Sequence, residues 1–149
     1  MYYSGIYYHS LDKKNRFFLP SKLRKSKARF VFTTPVVDKC IYLYPDDEWK
    51  KILLKFDNLQ LKDKSQERAF KRIFLSSAED AQVDPQGRLL IPKKLISEAK
   101  IDKKDSPADK KIVIVGIGNR LEIWSEKHWK QYLLKAKKIS YKVAQELEI

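Results

Sequence analysis

The chain of 149 residues contains an internal repeat, and this repeat strongly limits the folds it can adopt. Residues 11–23 match residues 83–95 at a constant offset of 72, with Asp, Arg, Pro, Lys and Leu recurring in register. Residues 41–50 match residues 121–130 at an offset of 80, so the second copy carries eight extra residues, which we place in the polar stretch 102–111. Each unit of roughly 55 residues is too small to be comfortably stable alone, so we expect the two copies to share a core.

A turn signal lies at the centre of each copy. Asp84, Pro85, Gln86 and Gly87 predict a type I turn, because Asp bonds forward to the backbone, Pro presets φ and Gly accepts a left-handed conformation. Asn15 occupies the position of Gly87 in the first copy, and Asn is the residue other than Gly that best tolerates this conformation. Both copies therefore predict a tight hairpin whose tip carries Asp, then polar or basic residues, then Arg.

The same order of elements is predicted to follow each turn. An apolar triplet suited to a buried strand is ended by a proline, then come a short basic helix, two strands and an amphipathic helix. The predicted short helices are residues 21–27 and 93–100, and the predicted strands are residues 29–32, 40–44, 112–115 and 120–124. A linker helix is predicted around residues 66–75 and a C-terminal helix at residues 141–148. The predicted domains are a first unit at 1–56, a helical linker at 57–80, a second unit at 81–138 and a C-terminal helix at 139–149.

The charge of the chain predicts a polyanionic partner. Thirty-two Lys and Arg against 19 Asp and Glu give a net charge of +13, which exceeds what solubility requires. Nucleic acid and an anionic membrane surface both present dense phosphate whose counterions are released when Lys and Arg arrive. No stretch approaches the roughly 20 apolar residues that span a bilayer, so no membrane segment is expected.

The inventory of reactive side chains argues against an enzyme. The chain has two His residues, the single Cys40 and no Gly-rich phosphate loop, so we expect no metal, no cofactor and no small-molecule substrate. A lone Cys forms no intramolecular disulfide, and the N-terminal residues lack the pattern of a secretory signal. A cytoplasmic location is therefore expected.

The two Asp-x-x-x-Arg turns, each followed by an apolar triplet, Pro and a short basic helix, resemble the MraZ family. Residues 4–11, 21–24 and 115–124 add to the resemblance, which spans nearly the whole chain. It implies an α+β fold in which tandem, pseudo-symmetric SpoVT/AbrB-like swapped-hairpin β units with short helices share one core. Asn15 departs from the glycine common in the family before the first Arg, and residues 102–111 are longer than expected.

The resemblance also implies a function. It implies a transcriptional regulator that binds double-stranded DNA and forms a homo-oligomeric ring. Its targets would be short direct repeats in the promoter of the division and cell-wall gene cluster that includes its own gene, so a nucleoid-associated location is expected.

The resemblance implies that Arg16 and Arg88, the arginines of the two Asp-x-x-x-Arg motifs, contact the DNA bases. Arg suits this role because its planar fork takes guanine O6 and N7 together, whereas Lys acts as a point charge on phosphate. The other expected DNA-contacting residues are Lys13, Lys14, Asn15, Lys22, Arg24 and Lys25, and the expected turn-fixing residues are Asp12, Asp84 and Gly87. Residues 12–29 carry eight bases against one acid, and residues 84–104 carry six against three, so we expect the first copy to dominate binding.

Two alternatives stay open at this point. The Asp–Arg pairs are also what a purely structural turn contains, as local salt bridges of little net stability. The charge alone also suits a non-specific architectural or RNA-binding ring protein. RNA readers usually expose aromatic side chains for base stacking, whereas the aromatic residues here, including Trp49 and Trp129, lie mostly at positions typical of a core or of subunit packing.

Overall fold

The order of helices and strands follows the repeat. The computed structural model describes residues 2–24, 27, 29–101 and 110–149. The elements of the first half are β1 (Ile6–Ser10), β2 (Arg16–Phe18), α1 (Ser21–Arg24), β3 (Arg29–Thr33), β4 (Ile41–Pro45), α2 (Asp46–Asp57) and α3 (Lys64–Ser76). Those of the second half are β5 (Glu79–Gln82), β6 (Arg88–Leu90), α4 (Lys93–Glu98), β7 (Lys111–Gly116), β8 (Leu121–Ser125) and α5 (Glu126–Leu147). The mixed α and β class predicted from the sequence is confirmed, with antiparallel strands and short helices.

The main sheet has an internal two-fold arrangement. Its six strands lie in the order β1-β7-β8-β4-β3-β5, which reads the same from either edge once equivalent strands are matched. At its centre β4 pairs antiparallel with β8, and Tyr42 lies opposite Glu122. Their flanking pairs are Ile41 with Ile123 and Leu43 with Leu121. Because each flanking pair is the repeat counterpart of the other, a pseudo-two-fold axis passes between Tyr42 and Glu122.

Strands of each half pair with strands of the other half. β1 pairs with β7, β5 pairs with β3, and β2 pairs with β6 in a separate two-stranded ribbon. The predicted tight turns are present, but the strands beside each turn pair with the other half and form no ladder with each other. This arrangement places Phe17 directly opposite Leu89, both buried, so each half covers apolar surface that a lone unit would expose.

One core runs through both halves, as the sequence predicts. Phe30, Leu43, Ile114 and Ile123 point from the main sheet toward the ribbon and meet Phe17 and its neighbours there. Alternate residues of the same strands point to the opposite face. On that face Val31 and Tyr44 pack against α2 and α3, whereas Val113 and Trp124 pack toward α5. Trp49 and Trp129 lie in these two helix contacts, so both pack as predicted.

Several element boundaries differ from the predictions. Lys27, the predicted end of the first short helix, is not helical, whereas residues 25 and 26 lie outside the described residues. Helix α4 ends at Glu98, before the predicted end at 100. Lys100 has a φ of 55°, which an α-helix does not accommodate. The predicted C-terminal helix at 141–148 is not separate, because α5 runs without a break from Glu126 to Leu147. No Gly or Pro interrupts this stretch, and its many Lys, Leu, Ala, Gln and Glu residues favour a helix.

The register locates the extra residues of the second copy. Val31 pairs with Asp80 and Val113 with Tyr8, so β3 and β7 correspond at an offset of 82 rather than 80. The second copy therefore gains ten residues before β7 and loses two between β7 and β8. Most of the predicted insert, residues 102–109, lies outside the described residues, as does Lys25.

Candidate nucleic-acid interface

The carboxylate of Asp12 organises the first turn. Its Oδ1 accepts the backbone N–H groups of Lys14 and Arg16, both at 2.9 Å, and its Oδ2 accepts Arg16 Nε at 2.8 Å. The backbone N–H of Asp12 donates to the carbonyl of Arg16 at 2.9 Å, which closes the turn. One side chain thus fixes both the loop and the direction of the arginine.

The second turn repeats this geometry. Asp84 Oδ1 accepts the backbone N–H groups of Gln86 at 2.9 Å and Arg88 at 2.8 Å, and Oδ2 accepts Arg88 Nε at 2.9 Å. In both turns the carboxylate uses only Nε of the guanidinium. Within the described part of the chain, no protein group is bonded to the terminal Nη nitrogens of Arg16 or Arg88, whose side chains are 28% and 21% exposed. Each turn therefore presents an oriented fork of donors.

These hydrogen bonds also set the charge of the two carboxylates. For Asp12, desolvation would raise the pKa, but the hydrogen bonds from Arg16 and Lys14 outweigh it and hold the pKa below its ordinary value. For Asp84, the backbone N–H of Arg88 and then its guanidinium lower the pKa. Both groups are therefore ionised near neutral pH and keep the arginines aligned.

The conformations predicted at the turn tips are confirmed. Asn15 has a φ of 61° and Gly87 a φ of 85°, both in the left-handed region. The side chain of Asn15 is buried and its Oδ1 accepts from Lys110 Nζ, so the structure places this residue in a supporting position. Arg24 Nε donates to the carbonyl of Leu19 at 2.9 Å, and its guanidinium lies over Gly87. Arg24 therefore links the two halves as well as carrying charge.

Two backbone hydrogen bonds join the turns across the pseudo-two-fold axis. Leu19 N–H donates to Gly87 O at 3.0 Å, and its repeat counterpart Ile91 donates to Asn15 O at 2.9 Å. In the ribbon, Arg16 lies opposite Leu90 and Phe18 lies opposite Arg88. The two arginines are thus diagonal neighbours, about 8 Å apart at Cα by strand geometry. The structure brings both motifs to one small outer surface.

The other predicted lysines in the described part of the chain are exposed. Lys13, Lys14 and Lys22 are exposed, as are Lys93 and Lys94 at the start of α4 in the second half. The sequence did not identify Lys110 as the partner of Asn15, because the two are 95 residues apart and no local pattern links them.

The apolar triplets are not wholly buried, contrary to the prediction. Phe18 and Leu90 are 56% and 59% exposed, whereas Phe17 and Leu89 are buried. The two-residue period of a strand could have predicted the exposure of Phe18 and Leu90, since it directs adjacent side chains to opposite faces.

Other kinds of site have little support in the described residues. No three His, Cys, Asp or Glu side chains there lie close enough to hold a metal ion. Burial raises the pKa of the Cys40 thiol, so this cysteine is not activated. None of the described helices combines the length and hydropathy needed to span a bilayer.

Comparison with known proteins matches each half of the repeat to the same family. The family model named "MraZ protein" matches the chain twice, at residues 2–73 and 74–148, one match for each half. The chain belongs to the MraZ family. A transcriptional regulator MraZ of Heliobacterium modesticaldum is 37% identical over 145 residues, which are 97% of this chain and 96% of that protein.

Two other MraZ relatives show comparable identity to this chain. The transcriptional regulator MraZ of Natranaerobius thermophilus is 38% identical over the same 97% and 96% of the two chains. That of Clostridium tetani is 40% identical over 128 residues, 86% of this chain and 84% of its own. The resemblance inferred from the repeated turns is confirmed.

Proposed function

We propose that this chain is a transcriptional regulator that binds double-stranded DNA in a sequence-specific manner. The observation that carries the proposal is the pair of aspartate-held guanidinium forks, Arg16 and Arg88, side by side on an exposed two-stranded ribbon. A ribbon of this width fits the major groove, where a fork can take guanine O6 and N7 together. The relatives named as transcriptional regulators support this reading.

The other residues divide into phosphate contacts and supports. Phosphates on either side of the groove are contacted by basic side chains of the first half, which supply positive charge: Lys13, Lys14, Lys22, Arg24 and Lys25. Asp12 and Asp84 hold the forks, while Asn15 and Gly87 allow the turns. We assign Asn15 mainly to the turn because its amide oxygen already bonds Lys110.

We propose further that the chain acts as a homo-oligomeric ring that engages several sites at once. The proposed targets are direct repeats in the promoter of the division and cell-wall cluster that includes its own gene, and the proposed location is the cytoplasm at the nucleoid. The argument for assembly is unpartnered apolar surface. A groove of about 250 Å³ between α2 and α3 is lined by Ile52, Lys55, Phe56, Leu59, Phe70 and Phe74. On α5, Leu134, Ile139 and Tyr141 are exposed.

Binding of matched duplexes tests the proposal. One duplex carries the promoter of the chain's own gene, the other the same bases scrambled, and both are measured at one stated salt concentration. Arg16→Ala is expected to cost about 1–3 kcal/mol on the promoter and little on the scrambled duplex. Arg16→Lys restores little, because an ammonium lacks the fork. Arg88→Ala acts in the same direction but more weakly.

Lys22→Ala is the matched control in this experiment. It removes a phosphate contact, so affinity falls alike on both duplexes and the log–log salt slope flattens by about 0.9. Equal loss on both duplexes for Arg16→Ala would make Arg16 a phosphate contact and favour a non-specific architectural protein. Unfolding of Arg16→Ala would instead show that the Asp–Arg pair only stabilises the turn.

A further inference from the structure

Two large apolar side chains lie between the arginines of the ribbon. Phe18 is 56% exposed and lies opposite Arg88, and Leu90 is 59% exposed and lies opposite Arg16. Because side chains alternate along a strand, these four groups share the outer face, while Phe17 and Leu89 point to the core. The four side chains of the outer face thus form a square. The two arginines lie on one diagonal, and Phe18 and Leu90 lie on the other.

The charge around this face argues against a second copy of the chain as its cover. Arg16 and Arg88 flank the apolar pair, and the exposed Lys13 and Lys14 project from the adjoining turn. Two such faces brought together would oppose like charges, and the nearest carboxylates, Asp12 and Asp84, are already bonded to the arginines. A polyanion with apolar groups of its own suits the surface better.

The position of the ribbon face in the fold is a second argument against a copy of the chain as its cover. Helices α2, α3 and α5, whose exposed apolar groups we assign to assembly, pack on the face of the main sheet away from the ribbon. The ribbon face is therefore left available when the helices are engaged.

Thymine supplies an apolar group in the major groove. Its C5 methyl is the only methyl on a standard base edge there, and Phe is among the side chains that pack against it. Cross-strand neighbours on a ribbon are about 5 Å apart at Cβ, so Leu90 and Phe18 lie within one or two base-pair steps of the base that the facing arginine reads. Arg and an apolar neighbour would together read a guanine and a nearby thymine.

We propose that Phe18 and Leu90 pack against thymine methyl groups and select thymine beside the bases read by Arg88 and Arg16. This inference rests on the proposed DNA-binding function and names a further part of its specificity.

The experiment removes the methyl group from the DNA. The wild-type protein selects its preferred duplex from a randomised pool, and each thymidine of that duplex is replaced in turn by deoxyuridine, which lacks only the methyl. At the contacted position the wild-type dissociation constant rises about fourfold, as expected for one lost methyl contact. Phe18→Ser or Leu90→Ser binds the thymidine and deoxyuridine forms equally, and Phe18→Leu retains part of the discrimination.

Tyr8→Ser is the matched control variant. Tyr8 is 58% exposed on β1, away from the ribbon, so this variant keeps the wild-type discrimination. Circular dichroism and light scattering verify that each variant folds and assembles as the wild type does.

Several results would overturn the inference while leaving the proposed function intact. These are a selected site without thymine, no position sensitive to deoxyuridine, and Ser variants at both positions that discriminate as the wild type does. A change of oligomeric mass in both Ser variants would show that the pair contacts protein instead. If the wild type selects no sequence, the proposed function itself fails.

Discussion

Asn15 and Gly87 hold equivalent turn positions with different side chains, and this difference gives an internal comparison of backbone strain. Both have φ in the left-handed region, at 61° and 85°. A Cβ on Gly87 would lie 3.2 Å from Cζ of Arg24, so both the backbone and the neighbouring guanidinium resist a side chain there. The first turn accommodates its Asn, and Lys110 bonds the amide.

Gly87→Ala is therefore expected to lower the free energy of unfolding by about 1–2 kcal/mol, mainly through the left-handed backbone. Gly87→Asn adds the same Cβ but tolerates the conformation better, so it should lose less. Urea unfolding at one fixed protein concentration measures both. Equal losses for the two variants would assign the effect to the contact with Arg24 and not to φ.

The carboxylates of the two turns predict how stability depends on pH. The folded-state pKa of Asp12 and of Asp84 lies below the unfolded value of about 3.9. Their contribution is thus present above the unfolded pKa and is lost as pH falls through the folded pKa. The unfolding free energy should fall as pH drops below about 5, and the double variant Asp12→Asn with Asp84→Asn should lose less over the same interval. An unchanged pH slope in the double variant contradicts this assignment.

At the scale of elements, the central pairing of β4 with β8 places two unlike residues at equivalent positions of the repeat, Tyr42 in one half and Glu122 in the other. Glu122 is buried and accepts Arg120 Nη2 at 2.8 Å and Trp124 Nε1 at 3.1 Å. Arg120 in turn lies over the Tyr42 ring, with Cζ 4.1 Å from its centroid. Because Tyr42 and Glu122 face each other on the pseudo-two-fold axis, pairing of β8 with β8 of another copy in this register would oppose two buried glutamates. The contact therefore favours pairing between unlike halves.

Glu122→Gln is expected to destabilise the chain by about 2 kcal/mol, since it leaves the partly buried Arg120 without its counter-charge. Adding Arg120→Met should recover part of the loss, because no unpaired charge then remains. Denaturant midpoints of the two single variants and the double variant measure the coupling. Strictly additive losses would show that the ion pair contributes nothing beyond its separate side chains.

At the scale of the whole molecule, the proposed assembly rests on the apolar surface that the helices leave exposed. Phe70 and Ile73 on α3 and Leu134 and Ile139 on α5 are exposed. Helices α3 and α5 pack, through Phe74 and Trp129, on the face of the sheet away from the ribbon. Large exposed apolar areas on one side typically mark protein contact sites. Symmetric assembly through these helices would leave every ribbon free for DNA.

Light scattering at micromolar concentration is accordingly expected to give a mass several times the 17.6 kDa of one chain. Ile139→Lys should lower this mass by placing charge in the contact, whereas Lys138→Glu, on an exposed neighbouring residue, should change it less. A monomeric mass for the wild type would contradict the proposed assembly.

The local features of this protein follow from short stretches of its amino-acid sequence. The recurrence of Asp, Gly or Asn, and Arg at fixed spacing predicts both turns, since the bonds of Asp12 and Asp84 reach only two to four residues along the chain. Pro20 and Pro92 mark where β2 and β6 end, and the apolar patterns predict the main helices. These features depend only on neighbouring residues in the sequence, so they recur in both halves wherever the sequence repeats.

Features that depend on partners far apart in the chain follow from the folded structure and not from local sequence. Pairing of β2 with β6 follows from burying Phe17 against Leu89, and the register of that pairing is what exposes Phe18 and Leu90 beside the arginines. The bond from Lys110 to Asn15 likewise joins residues from different halves. A strand's pattern shows that it has two faces but does not name the strand it pairs with, because the free energy of pairing comes from surface buried between segments far apart in the chain.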